Sequence, residues 1–364
     1  MTARNPQNLR AGGIQVDLSH TDKVLFPGDD EITKGDLIEY YAGVAERMLP
    51  YLRDRPIAMA RYPDGIAGER IFQKKVPDYF PGWVTRAKVR KQGGVLQQVI
   101  CDKPATLVYL ANQACIELHV FLSRLDRLDH PDQLIFDLDP ADTDHFGDAR
   151  VAALRLRELV ADELGLTAFV KTTGGKGLHV HVPLRAESDF DTVRGFARQV
   201  GELLAVRNQD LVTMEQRKDK RDRRLYVDIM RNAYAQTVVA PYVVRARPGA
   251  PVALPLQWDE VADRGLEPGR FTLRTVRRRL GDLDQADDPW SGFTKGRYSL
   301  TKAQARVDAI APRRNRLAAR LVALPSRPEA REAEGDKRIL MDALSARTAD
   351  AVTDPPLPAM TPCG

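Results

Sequence analysis

The stretch Leu134-Ile135-Phe136-Asp137-Leu138-Asp139-Pro140 decides how the rest of the chain is read. Its apolar and acidic residues alternate, and a period of two is a strand signal. Leu134, Phe136 and Leu138 then share one face, and Asp137 and Asp139 share the other. Carboxylates two residues apart on a strand lie roughly 7 Å from one another. Such a pair converges on one hard cation, or on two cations about 4 Å apart. The competing reading is a solvated strand end, where Asp-x-Asp-Pro begins a turn. Asp-x-Asp alone does not choose between them. It occurs in phosphoryl-transfer enzymes, in sugar-nucleotide transferases and in surface loops.

Three further features gather around this strand. Arg224-Leu225-Tyr226-Val227-Asp228-Ile229-Met230 repeats the alternation. Leu225, Val227 and Ile229 face a core and Asp228 faces the polar side, where it needs a partner or a cation. A salt bridge to a neighbouring arginine is the plainer alternative. The second feature is Lys171-Thr172-Thr173-Gly174-Gly175-Lys176-Gly177-Leu178-His179-Val180-His181. Its glycines let backbone N–H groups approach an anion, and Lys176 adds a point charge. Gly177 after Lys176 excludes a Walker A loop, and a plain glycine-rich hairpin is the alternative. His179 and His181 share a strand face. With six histidines in the chain and no further cluster, hydrogen bonding beside a phosphate suits His179 and packing suits His181. The third feature is Arg217–Arg224, with six basic and two acidic residues, which leads into the Asp228 strand. A charge run is usually a solvated face, but adjacency to carboxylates favours a polyphosphate or nucleic acid. Arg245 and Arg247 extend the same basic surface. Lys74 and Lys75 read equally as surface lysines or phosphate ligands.

The 364 residues carry 55 Lys+Arg and 50 Asp+Glu, so +5 is modest and its placement matters more than its size. Hydrophobic residues are 43 % and charged residues 29 %, an ordinary globular mixture. Cys101, Cys115 and Cys363 form no C-x-x-C pair, which argues against a disulfide framework or cysteine zinc site. No uncharged run reaches the ~18 residues that span a bilayer, and the polar start is not a signal peptide. A cytoplasmic, nucleoid-associated protein with no membrane partner is expected. Helices are expected from Thr33 (capped with Asp36) and over 106–118, 148–164 and 190–206. Strands are expected over 57–62, 134–139, 168–172, 178–182, 225–230 and 238–245. Irregular alternation favours a mixed α/β (α+β) class over a doubly wound sheet. Residues beyond Trp258 read as helical and basic, with Arg274, Arg277, Arg278 and Arg279 clustered.

Taken together, these residues resemble the polymerase domain of bacterial ligase D, a branch of the archaeo-eukaryotic primase superfamily. The segments that carry the likeness are Asp22–Pro27, Tyr40–Ala45, Phe72-Gln73-Lys74, Ile116-Glu117-Leu118-His119, Leu134–Pro140, Thr173–His179, Val227-Asp228 and Ala240-Pro241-Tyr242. The resemblance implies a primase-polymerase catalytic core with two mixed β-sheets and flanking helices over residues 16–285. Around it lie a tail at 1–15, a basic helical extension at 286–324 and a flexible tail at 325–364. It further implies that Asp137, Asp139 and Asp228 are catalytic and bind divalent metal, Mn2+ or Mg2+. Lys74, His119, Thr173, Gly174, Lys176, His179, Arg221 and Arg245 match positions that bind the nucleotide, an NTP or dNTP. Lys23 and Lys34 match lysines that bind a DNA 5′-phosphate. Serine is usual where Thr173 stands, but the hydroxyl is kept. No Lys-x-Asp-Gly adenylation motif is present, so the chain looks like the stand-alone primase-polymerase C type.

The resulting expectation is a monomeric, template-dependent nucleotidyltransferase that fills short gaps or broken ends in primer-template DNA and favours ribonucleotides. Ku-type end-binding proteins and a separate DNA ligase are the partners the family implies. The alternatives are a primase acting de novo, a metal-dependent glycosyltransferase, a nuclease, and a non-catalytic DNA-end-binding module.

Overall fold

The computed structural model describes residues 8–310 apart from 92, 282–287 and 296. The expected tail at 325–364, and the extension beyond 310, lie outside the described residues. The chain divides into two units, Met1–Val307 and Asp308–Gly364, and both large sheets belong to the first.

In chain order the first elements are β1 (Asn8–Ala11), β2 (Ile14–Asp17), β3 (Val24–Phe26), β4 (Ile32–Thr33), α1 (Lys34–Leu52), β5 (Pro56–Arg61) and β6 (Ile71–Gln73). Then come β7 (Arg86–Lys91), β8 (Gly94–Ile100), α2 (Pro104–Asn112), β9 (Cys115–Phe121), β10 (Gln133–Asp139), α3 (Phe146–Glu158), β11 (Phe169–Thr172), β12 (Leu178–Pro183) and α4 (Phe190–Arg207). The last are β13 (Val212–Thr213), β14 (Leu225–Asp228), β15 (Thr237–Val239), β16 (Val243–Val244), β17 (Val252–Ala253), β18 (Pro255–Leu256), α5 (Trp258–Ala262) and α6 (Leu273–Gly281).

Two six-stranded sheets organise these elements. One has the order β15-β9-β5-β8-β7, with β6 added to β5, and all its pairs are antiparallel. The other has the order β13-β14-β10-β12-β11-β18. Among the described strands parallel pairing is confined to β13 and β14, so mixed character belongs to this sheet alone. The class is mixed α/β, as expected.

Local chemistry explains the boundaries. Thr33 and Asp36 form a reciprocal cap at the start of α1: Asp36 N donates to Thr33 Oγ1 at 3.2 Å and Thr33 N to Asp36 Oδ2 at 2.8 Å. The buried face of α1 is tied inward, with the Tyr41 hydroxyl donating to Ile116 O at 2.6 Å and Tyr40 to Tyr242 O at 2.8 Å. Asp189 caps α4 by accepting from Thr192 N at 2.8 Å.

Three expectations are corrected, and one hairpin was not expected. Residues 8–17, all but the last two of which the sequence reading puts in a tail, form the β1–β2 hairpin. Gly12 (φ +53) and Gly13 (φ +83) make its turn, and Val16 is buried. The helix expected over 106–118 stops at Asn112. Ala114 takes φ +54, and Cys115–Phe121 continues as strand β9, in which Glu117 and His119 alternate with Ile116, Leu118 and Val120. The strand expected over 238–245 is two short strands, because Pro241 has no N–H and Tyr242 sits at φ +67. Residues 86–100 carry no expectation, yet they form the β7–β8 hairpin.

The arginines of α6 do not form an open basic face. Arg274 bonds Asp30 at 2.7 Å, Arg277 bonds Glu39 at 3.0 Å, and Arg279 pairs with Glu260.

Beyond α6, residues 288–295 and 297–298 pack on the second sheet over Phe169 and His181, on the face that also carries His179. Trp290 is 1 % exposed. Its Nε1 donates to Val170 O at 2.8 Å, and its ring packs 4.8 Å from both His181 and Phe293. The Tyr242 hydroxyl donates to Asp288, and Tyr51 donates to Trp290 O at 3.1 Å. Trp290→Ala leaves a large cavity and an unpaired Val170 carbonyl. The expected loss is about 3–5 kcal/mol in urea unfolding. A loss below about 1 kcal/mol would show that this segment is not part of the core.

Candidate active site

The register of the second sheet brings the acids together. Asp137 on β10 lies directly opposite Asp228 on β14 and, on its other side, opposite His179 on β12. His179 in turn lies opposite Lys171 on β11. Directly opposed residues project from the same face. Asp228, Asp137, His179 and Lys171 therefore form one row across four strands, with Asp139 two residues along the same face of β10.

Like charges directly opposite one another are destabilising, and burial adds to the cost. Burial pushes the Asp137 carboxyl above its ordinary value against the pull of Arg231 and Lys171. Burial also raises Asp228, with Asp137 adding to the rise, while the Met230 N–H donates to Asp228 Oδ1 at 2.7 Å and opposes it. His179 Nε2 lies 3.4 Å from Asp137 Oδ1, and burial holds its imidazole neutral. Lys171 is fully buried, and burial drives its pKa far down.

Asp139 faces cations. Lys176 Nζ lies 3.0 Å from Asp139 Oδ1 and also donates to Pro140 O and Ala141 O. Arg221 reaches to 3.6 Å of Asp139 Oδ2, and its guanidinium lies 4.1 Å above the Tyr226 ring. The rest of the basic run is partly self-neutralised, through Arg217–Asp219 at 2.8 Å and Arg224–Asp222 at 3.4 Å.

The turn between β11 and β12 is tight. Gly174 takes φ +63, and a Cβ on Gly177 would lie 2.3 Å from Leu138 O. Thr173 Oγ1 accepts from Gly175 N at 3.1 Å and Gly177 N at 3.3 Å, and donates to Gly177 O at 3.0 Å. The hydroxyl thus orders the turn rather than pointing free. Two of the amides considered for anion binding are used internally.

Across from this face stands β9. Glu117, which the sequence reading assigned no role, is 5 % exposed. It accepts from Arg245 Nε at 2.8 Å, Ala246 N at 3.1 Å and His119 Nε2 at 3.1 Å. Burial alone would raise its pKa, but the His119 and Arg245 bonds outweigh burial and hold it far below the usual carboxylate range. Burial lowers the His119 pKa against the pull of Glu117. The signal was present as Glu-x-His on an alternating strand, and reading that segment as helix concealed it.

A cavity of about 560 Å³ lies between these surfaces. Asp137, Asp139 and His179 line it, as do Lys176, Arg245 and Arg247. His119, Phe72 and Arg231 also border it. Phe72 is 43 % exposed and meets His119 edge-on at 5.5 Å. Of the expected residues, Asp228 and Arg221 adjoin this lining through Asp137 and Asp139. Gly174 backs onto Arg245, and Lys74 lies two residues beyond Phe72, outside the lining.

Among the described residues no three His, Cys, Asp or Glu side chains already form a closed metal cage. The donor set of Asp137, Asp139 and Asp228 consists of hard oxygens on one face, two of them opposed and partly desolvated. That chemistry fits a hard divalent cation.

Lys23 and Lys34 form a separate place. Val24 pairs with Thr33, which sets the two lysines side by side at the N-terminus of α1. Lys34 is 6 % exposed; burial lowers its pKa, and the Lys23 charge lowers it further. Lys23 bonds Asp64 at 2.8 Å. A helix N-terminus flanked by two ammonium groups suits an anion.

The chain matches the family model described as LigD, primase-polymerase domain, over residues 33–290. The bifunctional non-homologous end joining protein LigD of Bacillus subtilis is 33 % identical over 267 residues, 73 % of this chain and 42 % of that protein. The multifunctional LigD of Pseudomonas aeruginosa is 34 % identical over 298 residues, 82 % of this chain and 35 % of that protein. The chain thus spans less than half the length of these relatives. The polymerase domain from Mycobacterium tuberculosis ligase D, solved in complex with DNA, matches with a TM-score of 0.72 and 32 % identity. That match covers 78 % of this chain and 99 % of the other.

Acid titration isolates the Glu117 network. A depressed carboxyl stabilises the fold above its unfolded value near 4.5 and loses that contribution as pH falls below it. Glu117→Gln should cost about 1.5–3 kcal/mol at pH 7. Its stability should then fall less steeply than that of the parent below pH 4.5. A gap between the two proteins that stays constant on acidification would remove Glu117 from that role.

Proposed function

Because the chain belongs to the LigD primase-polymerase domain family, we propose that it is a template-directed nucleotidyltransferase. It extends a primer 3′ end into short gaps or across broken DNA ends, takes nucleoside triphosphates and favours ribonucleotides. The observation that carries this reading is the Asp137–Asp228 pair, set in register beside a wall of Lys176, Arg245 and Arg247.

Nucleotidyl transfer needs an attacking 3′-hydroxyl, a polarised α-phosphate and charge relief on the departing pyrophosphate. Asp137, Asp139 and Asp228 would hold divalent cations, manganese or magnesium, which supply Lewis acidity at the attacking and leaving oxygens. Lys176, Arg245 and Arg247 neutralise the triphosphate on the β12 side of the acids, and Arg221 adds charge from above Tyr226. Glu117 holds Arg245 and His119 in place. His119, kept neutral, is suited to a sugar hydroxyl, and a 2′-hydroxyl there accounts for ribonucleotide preference. Phe72 offers an exposed ring to a base. The Lys23–Lys34 pair takes the 5′-phosphate across the gap. A Ku-type end-binding protein and a separate ligase are the partners this activity implies.

A labelled, gapped primer-template with ribo- or deoxyribonucleotides tests the reading. Elongation is expected, shortening would indicate a nuclease, and no change would indicate a non-catalytic end-binding module. Asp137→Ala and Asp139→Ala together should reduce extension to background while DNA binding persists. Lys176→Ala should cost about 10²–10³-fold in rate. Extension that survives in the double aspartate variant would sink the assigned site.

Charge removal at Lys23 and Lys34 probes the separate lysine pair at the start of α1. Neutralising both should erase any preference for a 5′-phosphorylated gap over a 5′-hydroxyl one. An unchanged ratio in filter binding would exclude the α1 N-terminus as the phosphate pocket.

A further inference from the structure

Arg231 has no role in the reading given so far, yet its setting is specific. It sits in the single turn Met230–Asn232 that follows β14. Both neighbours fix that turn. Asp228 Oδ1 accepts from Met230 N. The Asn232 side chain is fully buried and clamps the turn to the catalytic strand. Its Oδ1 accepts from Ile135 N at 2.9 Å, and its Nδ2 donates to Ile135 O at 2.7 Å and Ile229 O at 2.9 Å. The clamp lies two residues from Asp137, so the backbone of Arg231 is held in a constant relation to the acids. A buried amide bonded this fully is costly to rearrange.

The side chain itself is uncommitted. Arg231 is exposed and lines the cavity, and among the described residues its guanidinium makes no hydrogen bond or ion pair. Among the described residues Arg247 is the other unbonded guanidinium of the lining, and it stands at the Gly175 turn on the β12 side, whereas the remaining cations nearest the acids are engaged. Lys176 is bonded to Asp139, Arg221 to the Glu215 and Gln216 carbonyls, and Arg245 to Glu117. Position separates Arg231 from them as well. The strand order runs β14, β10, β12. Lys176 leads into β12, on one side of Asp137, and Arg231 follows β14, on the other. Thr237 of β15 lines the same cavity and offers a hydroxyl.

In-line transfer places the attacking hydroxyl and the leaving group on opposite sides of the reacting phosphorus. With the triphosphate on the Lys176 side, the primer end must enter from the β14 side. The anion that accompanies it is the last phosphodiester of the primer. We propose that Arg231, with Thr237 on the wall of the same cavity, binds the 3′-terminal internucleotide phosphate of the primer and so sets the attacking hydroxyl against Asp137 and Asp228. This rests on the polymerase reading and adds a primer-binding site to it.

The test compares natural primers with primers whose last linkage is a neutral methylphosphonate, using the full chain. Primer-template Kd is read by fluorescence anisotropy without nucleotide, and extension is read separately. Neutralising the linkage should weaken binding to the parent protein about tenfold. Arg231→Ala should bind both primers equally and as weakly as the parent binds the neutral one. Its salt dependence should be shallower by about one ion. Arg231→Lys should regain part of the discrimination, and the nucleotide KM should stay unchanged in both variants. Arg231→Ala that still discriminates the two primers overturns the inference. So does a rise in nucleotide KM without loss of discrimination, which would put the triphosphate on Arg231. If the parent discriminates the primers but extends neither, the polymerase reading fails while the phosphate site stands.

Discussion

Two carboxylates set face to face by an antiparallel register are the constraint to which the rest of this molecule answers. Asp137 and Asp228 cannot move apart without breaking the β10–β14 ladder. Left alone, the pair would destabilise the sheet. The surroundings instead distribute positive charge around it. Lys171 stands buried two strands away, Lys176 and Arg221 face Asp139, and Arg231 waits at the end of β14. An apolar sheet would be more stable, and the cost is concentrated at the candidate active site.

The opposing sheet solves the reverse problem. A cavity lined by Arg70, Arg245 and Arg247 carries an excess of positive charge. Glu117 offsets part of it from beneath, at the price of being almost wholly buried. Its bonds fix the Arg245 fork and select the His119 tautomer that donates from Nε2. Neither sheet alone therefore presents a complete site. One supplies opposed acids, the other oriented bases, and the Thr173–Gly177 turn joins them because Arg245 also donates to Thr173 O.

Much of this was legible in the amino-acid sequence where a short-range rule was enough. The alternation at 134–139 placed Asp137 and Asp139 on one face, and Thr33 with Asp36 marked the start of α1. Asp228 followed from the same alternation. Legibility ended where the deciding contact was remote or the pattern was polar. Arg86–Lys91 is a strand of charged residues, visible only through its pairing with β8. Cys115–Phe121 follows an alanine- and leucine-rich helix with a single residue at positive φ to mark the change. Arg274, Arg277 and Arg279 read as a basic surface because their acidic partners are as much as 244 residues away in the chain. The roles of Glu117 and Arg231 depend on which strands adjoin, and no local spacing encodes that.

The anchoring of Trp290 has a bearing on how the protein is born. Strands β10 to β18 contain every aspartate of the site and are complete by Leu256. The cover over Phe169 and His181, however, is made by residues that leave the ribosome later, with Trp290 bonded to Val170 on β11 and Tyr298 to Pro183 on β12. During synthesis the acids already exist in a chain in which Phe169 and His181, on the same face of the sheet, are still uncovered. The site therefore matures last to first, sealed by residues that never touch it. Synthesis through residue 298 is therefore a condition for a fully packed sheet beneath the acids.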